Sequence, residues 1–313
     1  MNARSSLKAL VRRVLPRPAI QLLKQLRSRG RDLDRQRRPP ITEAALIRDL
    51  RAAGIAPGDL VMVHSSLASL GNVEGGAAAV IRALLAAIGP GGTLLMPCYG
   101  SAEEVERGAA IDLRTTPSGT GKITEAFRTW PGVKRSSHPY SSVTALGPLA
   151  EEMLSGHAED PHVCHPRSPV GRMVEKNAKI LGLGVPLGKG LAVAHYLEDT
   201  WDGFPFEVHK PPFVARYIDA EGAAVERPIV RYDPVVSRTR IDQPVGKWID
   251  AQLTEQLVRA QVLRRIRVGE AAGWIVQARP QCEELRRLAA LGVTMYLTEA
   301  EAQARGIPPE RWG

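Results

Sequence analysis

Apolar residues in the first two thirds of the chain alternate between helical spacing and short continuous runs. From Thr42 to Arg51 they fall on one helical side as Leu46, Ile47 and Leu50, with Thr42 placed to cap the N-terminus. Gly54 ends that helix, Pro57-Gly58-Asp59 turns the chain, and Leu60 to Val63 is an apolar run of the kind a buried strand shows. A second helix is predicted from about Gly76 to Ile88. Gly89-Pro90-Gly91-Gly92 then leads into a second strand, Thr93 to Met96, closed by Pro97. Strand, helix and strand in that order predict an α/β fold with a right-handed crossover and parallel pairing. Residues 98–118 show little regular pattern, and 134–147 are a polar stretch between structured regions. Ser168-Pro169 opens a further helix, serine as cap and proline in the first turn. Lys179 to Leu183 reads as a buried strand, Gly184 to Gly190 as a glycine-rich turn, and a helix begins near Leu191. Beyond Thr200 the pattern predicts a hairpin (213–219 and 224–232), helices over 248–267 and 280–291, a short strand from Trp274 to Gln277, and a terminal helix and tail over 297–313.

Length changes this picture little: 313 residues suffice for one large domain with a full core. Charge changes it more. The net charge of +9 suggests a polyanionic partner, but twelve of the 42 basic residues and only two of the 33 acidic ones fall in residues 1–40. That extension carries +10 and the rest of the chain −1, which predicts a basic N-terminal extension (1–40) joined to a near-neutral domain (41–313). Leu7, Leu10, Val11, Val14 and Leu15 recur at helical spacing among the basic residues. A solvated tail, a protein-docking segment and a peripheral contact with anionic lipid all fit. The extension has no aromatic side chain to stack on a base, so nucleic acid is not expected as a partner. No apolar run reaches the roughly 18–20 residues of a spanning helix, and no signal-peptide pattern follows the basic start. Cys98, Cys164 and Cys282 are odd in number and far apart, as in a reducing compartment. The expectation is a cytoplasmic protein, with membrane contact limited to residues 1–40. The pattern specifies no oligomeric state.

Candidate chemistry concentrates at four places. On the helix after the glycine-rich turn, His195 is followed at i+3 by Glu198, so imidazole and carboxylate share a face and can form a general base. A surface pair on an ordinary helix gives the same pattern. The preceding glycines match neither the dinucleotide fingerprint nor the P-loop: Leu187 and Leu183 stand where glycines would be required. Ser118-Gly119-Thr120-Gly121 opens a helix, which suits phosphate or is simply a tight turn. His64-Ser65-Ser66-Leu67 ends a strand, where open α/β sheets bind ligands. His157, His162, Cys164 and His165 crowd together, but their spacing matches none of the common zinc patterns, and no metal is expected.

Taken together, VMVHSSLASLG (61–71), EGGAAAVIRALLAAIGPGGTLLMPCY (74–99), TPSGTGKITEAFRTWPGVKRSSHPYSSVTALGP (116–148), SPVGRM (168–173) and the segments KILGLGV and AHYLED within 179–199 resemble the aminoglycoside 3-N-acetyltransferase family. The resemblance covers most of residues 42–200. It implies a single three-layer α/β/α sandwich with a central mixed, largely parallel sheet, distinct from the GCN5-type fold. It implies an acyltransferase with acetyl-CoA as donor and a small-molecule amine, an amino sugar or aminoglycoside, as acceptor. His195 matches the family's catalytic base and Glu198 its partner. Ser65, Ser66 and Leu67 match the coenzyme-lining segment. Ser118, Gly119, Thr120, Gly121 and Lys122, with Arg135, Ser137 and His138, match its other walls, and Ser142 matches the serine of H-P-x-x-S. One departure is Ala192, where the family often has threonine. Polycationic acceptors call for an acidic pocket, which Glu103-Glu104-Glu106 and Glu198-Asp199-Asp202 could form if they converged. The basic extension favours instead an amino sugar of a surface polysaccharide or natural product. The alternatives are a catalytically idle module that holds coenzyme or a partner, and a metal hydrolase built on His157, His162 and Cys164.

Overall fold

The computed structural model describes residues 34–35, 37–205, 207–241 and 247–296. The expectations for most of the basic extension and for a helix over 297–313 lie outside the described residues. At the start of the described chain, Arg38 pairs with Asp34 and with Glu270, and the Asn72 side chain donates to the Arg38 carbonyl.

Helix α1 (Glu43–Ala52) starts where expected, with the Thr42 hydroxyl accepting from the Ala45 N–H at 3.2 Å. Strand β1 (Leu60–Ser65), helix α2 (Gly76–Ile88) and strand β2 (Thr93–Tyr99) follow. Strand β2 does not stop at Pro97. Its neighbour β5 (Ser141–Leu146) runs antiparallel, with Val143 opposite Pro97, and the missing N–H of Pro97 does not prevent its carbonyl from accepting the Thr120 hydroxyl at 2.8 Å. The intervening segment carries α3 (Ala102–Glu106), β3 (Ile111–Asp112), α4 (Lys122–Arg128) and β4 (Lys134–Arg135). The polar stretch over 134–147 thus supplies two sheet strands. Its polar side chains hid them, because Ser142 and Thr144 are buried by hydrogen bonds to the Cys98 and Met96 carbonyls.

Next come α5 (Ala150–Leu154), α6 (Pro169–Glu175), β6 (Lys179–Leu183), a 3₁₀ turn (Leu187–Lys189) and α7 (Ala192–Thr200). The hairpin β7 (Phe213–Ile218) and β8 (Ala224–Ile229) pairs with β3 in a separate three-stranded sheet. After α8 (Pro234–Ser237), helix α9 (Lys247–Arg259) ends earlier than the pattern predicts. Gln261 adopts φ 59°, the chain reverses, and β9 (Leu263–Val268) pairs with β10 (Ala271–Gln277) ahead of α10 (Ala278–Ala290).

The main sheet has seven strands in the order β4-β5-β2-β1-β6-β10-β9. It is mixed, as expected, but parallel pairing is confined to β2-β1-β6. The flanking strands run antiparallel. The turn between β9 and β10 is too short for a crossover, so that pair can only be antiparallel.

Period-two alternation sends β1 to two cores. Met62 faces a cluster with Leu95, Ile180, Val193, Leu197 and Trp274, while Val61 and Val63 face one with Leu84, Ile88, Phe127 and Leu181. Helices α1, α2 and α4 cover the second face and α5, α6, α7, α9 and α10 the first, which is the three-layer sandwich. Gly182 is required here. The Trp274 ring lies over it so closely that a Cβ would come 2.1 Å from Cε2, and the indole N–H reaches the Val185 carbonyl at 3.0 Å.

Candidate active site

The carboxyl ends of β1, β2 and β6 lie side by side, and the chain leaves β1 toward one neighbour and returns beside it from the other. Ligands bind at such a point in α/β sheets. A cavity of about 540 Å³ lies there. His64 and Ser65 line it from β1, Pro97 and Tyr99 from β2 with Gly100 just after it, Gly119 and Thr120 from the turn before α4, and Gly188 to Ala192 with His195 from the segment that enters α7. Tyr232, Arg240 and Met295 close it from the last third of the chain.

His195 and Glu198 meet as their spacing predicts, with Nδ1 and Oε2 2.6 Å apart. The Glu198 side chain is fully buried, and that of His195 is 21% exposed. A carboxylate oxygen accepts, so Nδ1 carries the proton and Nε2 is the nitrogen left with a lone pair. The Tyr232 ring lies over the imidazole at 4.4 Å with a 35° tilt. Burial and nearby Glu198 raise the Tyr296 hydroxyl well above its ordinary value, so it stays protonated beside the pair.

Asp199, the next residue, holds three separate segments to α7. Its Oδ2 accepts the Cys164 N–H at 2.7 Å, its Oδ1 accepts His209 Nε2 at 2.7 Å, and the Tyr232 hydroxyl donates to both oxygens at 3.2 Å. His209 also donates from Nδ1 to Glu207 at 3.1 Å. Burial disfavours the charged imidazole of His209, but the hydrogen bond and charge of Asp199, with Glu207 and Glu198, outweigh it and raise its pKa. Asp199 showed in the sequence only as part of an acidic cluster, and His209 and Tyr232 carried no signal there, because their partners lie up to 35 positions apart. Cys164 lines the same cavity, but burial and the charges of Asp199 and Glu198 push its thiol well up, so it is not a nucleophile at neutral pH.

Of the other residues singled out in the sequence, Ser65, Gly119 and Thr120 reach the cavity. The Ser65 hydroxyl and the neighbouring His64 Nε2 are buried without a hydrogen-bond partner among the described residues. Burial pulls His64 down to about 4, so its ring is neutral. Ser66 instead accepts the Ser69 hydroxyl at 3.0 Å, and Leu67 packs into the second core. In the turn before α4, the hydroxyls of Ser118, Thr120 and Thr124 bond to one another, and Glu125 accepts the Ser118 N–H at 2.7 Å. Ser118, Gly121 and Lys122 line a shallow depression on the outer side of that turn.

Arg135 is spent inside the protein. It donates to the Leu113, Thr116 and Cys98 carbonyls and to Ser142 Oγ, which itself donates to Cys98. Ser137 donates to Glu221 at 3.1 Å beside a second cavity of about 290 Å³. His138 is buried against the rings of Tyr140 and His157, with Nδ1 accepting the Ser141 N–H. His157, His162 and Cys164 do not converge. His157 bonds to Ser136 and the Val163 carbonyl, His162 to half-buried Asp160, and Cys164 faces the cavity. Among the described residues no group of three or more His, Cys, Asp or Glu side chains could hold a metal ion, and no helix is long and apolar enough to cross a membrane.

A sandwich with a His–carboxylate pair at the carboxyl ends of its parallel strands defines an enzyme-like class, and comparison with known proteins names the family. The family model described as aminoglycoside 3-N-acetyltransferase matches residues 62–289. Aminoglycoside N(3)-acetyltransferase VIII of Streptomyces fradiae is 38% identical over 177 residues, 51% of this chain and 61% of that protein. The enzyme IX of Micromonospora chalcea is 29% identical over 269 residues, 77% of this chain and 90% of that protein. The crystal structure of aminoglycoside acetyltransferase AAC(3)-Xa superimposes with a TM-score of 0.69 at 28% identity, covering 84% of this chain and 96% of that one. A structure described as AAC-IIIb binary with CoASH gives 0.69 at 25% identity, covering 83% and 100%. The chain belongs to the aminoglycoside 3-N-acetyltransferase family, and it spans 61% of the length of the Streptomyces fradiae relative.

Proposed function

We propose that the protein transfers an acetyl group from acetyl-CoA to the amine of an amino sugar, with His195 as general base and Glu198 as its partner. The observation that carries this reading is the 2.6 Å contact between His195 Nδ1 and the buried Glu198 carboxylate at the wall of the cavity. Nε2 takes the proton from the acceptor nitrogen, and Glu198 stabilises the imidazolium that results. The coenzyme supplies an activated thioester carbonyl. Ser65 and His64 present a hydroxyl and a neutral imidazole, both buried and without a hydrogen-bond partner among the described residues. Such groups gain from hydrogen-bonding a ligand oxygen, which suits them to the thioester side. The comparison structure with CoASH and another solved with bound sisomicin support donor and acceptor classes of these types. A cytoplasmic location, and a peripheral membrane contact through residues 1–40 argued from their basic charge and the helical spacing of their apolar residues, belong to this proposal.

The test is thiol release from acetyl-CoA with a panel of aminoglycosides, amino sugars and nucleotide-linked amino sugars, run on wild type and His195→Ala. Release by the wild type alone supports the transferase. Coenzyme binding with no release on any amine supports an idle binding module instead.

A further inference from the structure

Glu198 holds the His195 imidazole at one atom, Nδ1. A single hydrogen bond fixes a point on a ring and leaves its plane free to pivot, whereas a general base must keep its other nitrogen aimed at the acceptor. The second constraint is a face contact. The Tyr232 ring lies over the imidazole with the centroids 4.4 Å apart and a 35° tilt, and it lines the cavity beside it.

Tyr232 is itself held firmly. Its backbone forms an antiparallel bridge with His209, flanked by the Lys210 N–H bonded to the Arg231 carbonyl at 2.9 Å and the Asp233 N–H bonded to the Val208 carbonyl at 2.8 Å. The His209 ring also packs on it, at 5.3 Å and 33°. The Tyr232 hydroxyl donates to both oxygens of Asp199 at 3.2 Å, and Asp199 Oδ1 accepts His209 Nε2 at 2.7 Å. Glu198 and Asp199 are consecutive on α7, and consecutive side chains leave a helix about 100° apart. One turn thus sends one carboxylate to the base and the next to the ring that covers it.

Burial and the Asp199 carboxylate raise the Tyr232 hydroxyl well above its ordinary value. The phenol stays neutral with its proton committed to Asp199, so it is neither acid nor base in the reaction. What it offers His195 is its π face. When Nε2 takes the proton of the amine, the imidazole gains a positive charge, and the quadrupole of a tyrosine ring attracts a cation lying over it.

We propose that Tyr232 is a positioning residue for acetyl transfer: its ring fixes the plane of the His195 imidazole and stabilises the imidazolium that forms, and Asp199 holds the ring in place. This rests on the acetyl-transfer reading above.

The test uses the full-length protein as wild type, Tyr232→Leu and Tyr232→Phe. Thiol release from acetyl-CoA is followed with the amine of the panel that turns over fastest, and the His195 ring protons are observed by NMR without substrate. Tyr232→Leu is expected to lower kcat about tenfold, with KM for acetyl-CoA within about twofold. Its His195 ring protons should move downfield as the ring current of Tyr232 is lost. Tyr232→Phe keeps the ring and should restore most of kcat and the upfield position. A variant carrying a trifluorinated phenylalanine in place of Tyr232 keeps the shape and weakens the π face, so it should fall below Tyr232→Phe in kcat even if Tyr232→Leu folds poorly. Equal losses in the Phe and Leu variants would assign the effect to the hydroxyl and the fold, and overturn the inference. So would unmoved His195 ring protons in Tyr232→Leu. The transfer reading fails separately if no amine releases thiol from the wild type, and the ring-proton positions then still decide whether Tyr232 holds the imidazole.

Discussion

His195 Nδ1 lies 2.6 Å from a Glu198 carboxylate whose side chain is fully buried, while the imidazole itself stays partly open to the cavity. The carboxylate thus orients the ring and is shielded from competing solvent. His195→Ala is expected to lower kcat by about 10²–10⁴ with the thermal midpoint little changed. Glu198→Gln is expected to lower kcat by a smaller factor. Steady-state kinetics with circular dichroism as a folding control checks both. Loss of activity only in step with loss of fold would reduce the pair to a structural one.

Asp199 accepts four hydrogen bonds from three chain segments inside the protein. Asp199→Asn removes the charge opposite His209, and breaking a buried pair of this kind costs roughly 3–5 kcal/mol. Urea unfolding should show that loss, and the His209 ring protons should titrate at lower pH than in the wild type. An unmoved His209 titration would mean that Asp199 is not its principal partner.

Buried histidines make the protein acid-sensitive. Burial holds His64 near 4 and His157 near 3, and His138 lies well below the ordinary value for the same reason. In the unfolded chain these rings bind protons near pH 6.5, so below that pH the unfolded state carries more protons than the native one. Stability is fully present above pH 6.5 and falls as pH drops toward 4, by at most about 1.4 kcal/mol per pH unit for each ring. His209 acts in the opposite direction, since its raised pKa stabilises the fold most at low pH and the gain fades as pH rises through that value. Urea midpoints at pH 7.5, 6.0 and 5.0 should fall in that order. A flat profile would show that the rings are not held neutral.

Gly182 and Trp274 are a packing pair across β6 and β10. Gly182→Ala would drive a methyl group into the indole and is expected to destabilise by about 1–3 kcal/mol. Adding Trp274→Leu should recover part of the loss, which a double-mutant cycle measures. Additive effects would rule out the contact as the cause.

Local order was plain in the amino-acid sequence by itself. Thr42, Ser168 and Pro169 mark helix starts, β1 and β6 are continuous apolar runs, and His195 and Glu198 lie three apart on a helix, because each of these features depends on neighbours within about one turn. The family resemblance added the α/β sandwich and the class of chemistry. Only the tertiary structure could decide the rest. Antiparallel β5 was hidden in a polar stretch, since buried serines and threonines read as loop until their carbonyl partners are known. Arg135 and Ser142 read as ligand contacts but are bonded within the protein, and Gly182 could not be read as a packing device without Trp274. Whether an acidic residue serves a ligand or a neighbouring arginine depends on contacts across tens to more than a hundred positions, such as Glu106 with Lys210 and Arg231, and no local pattern encodes them.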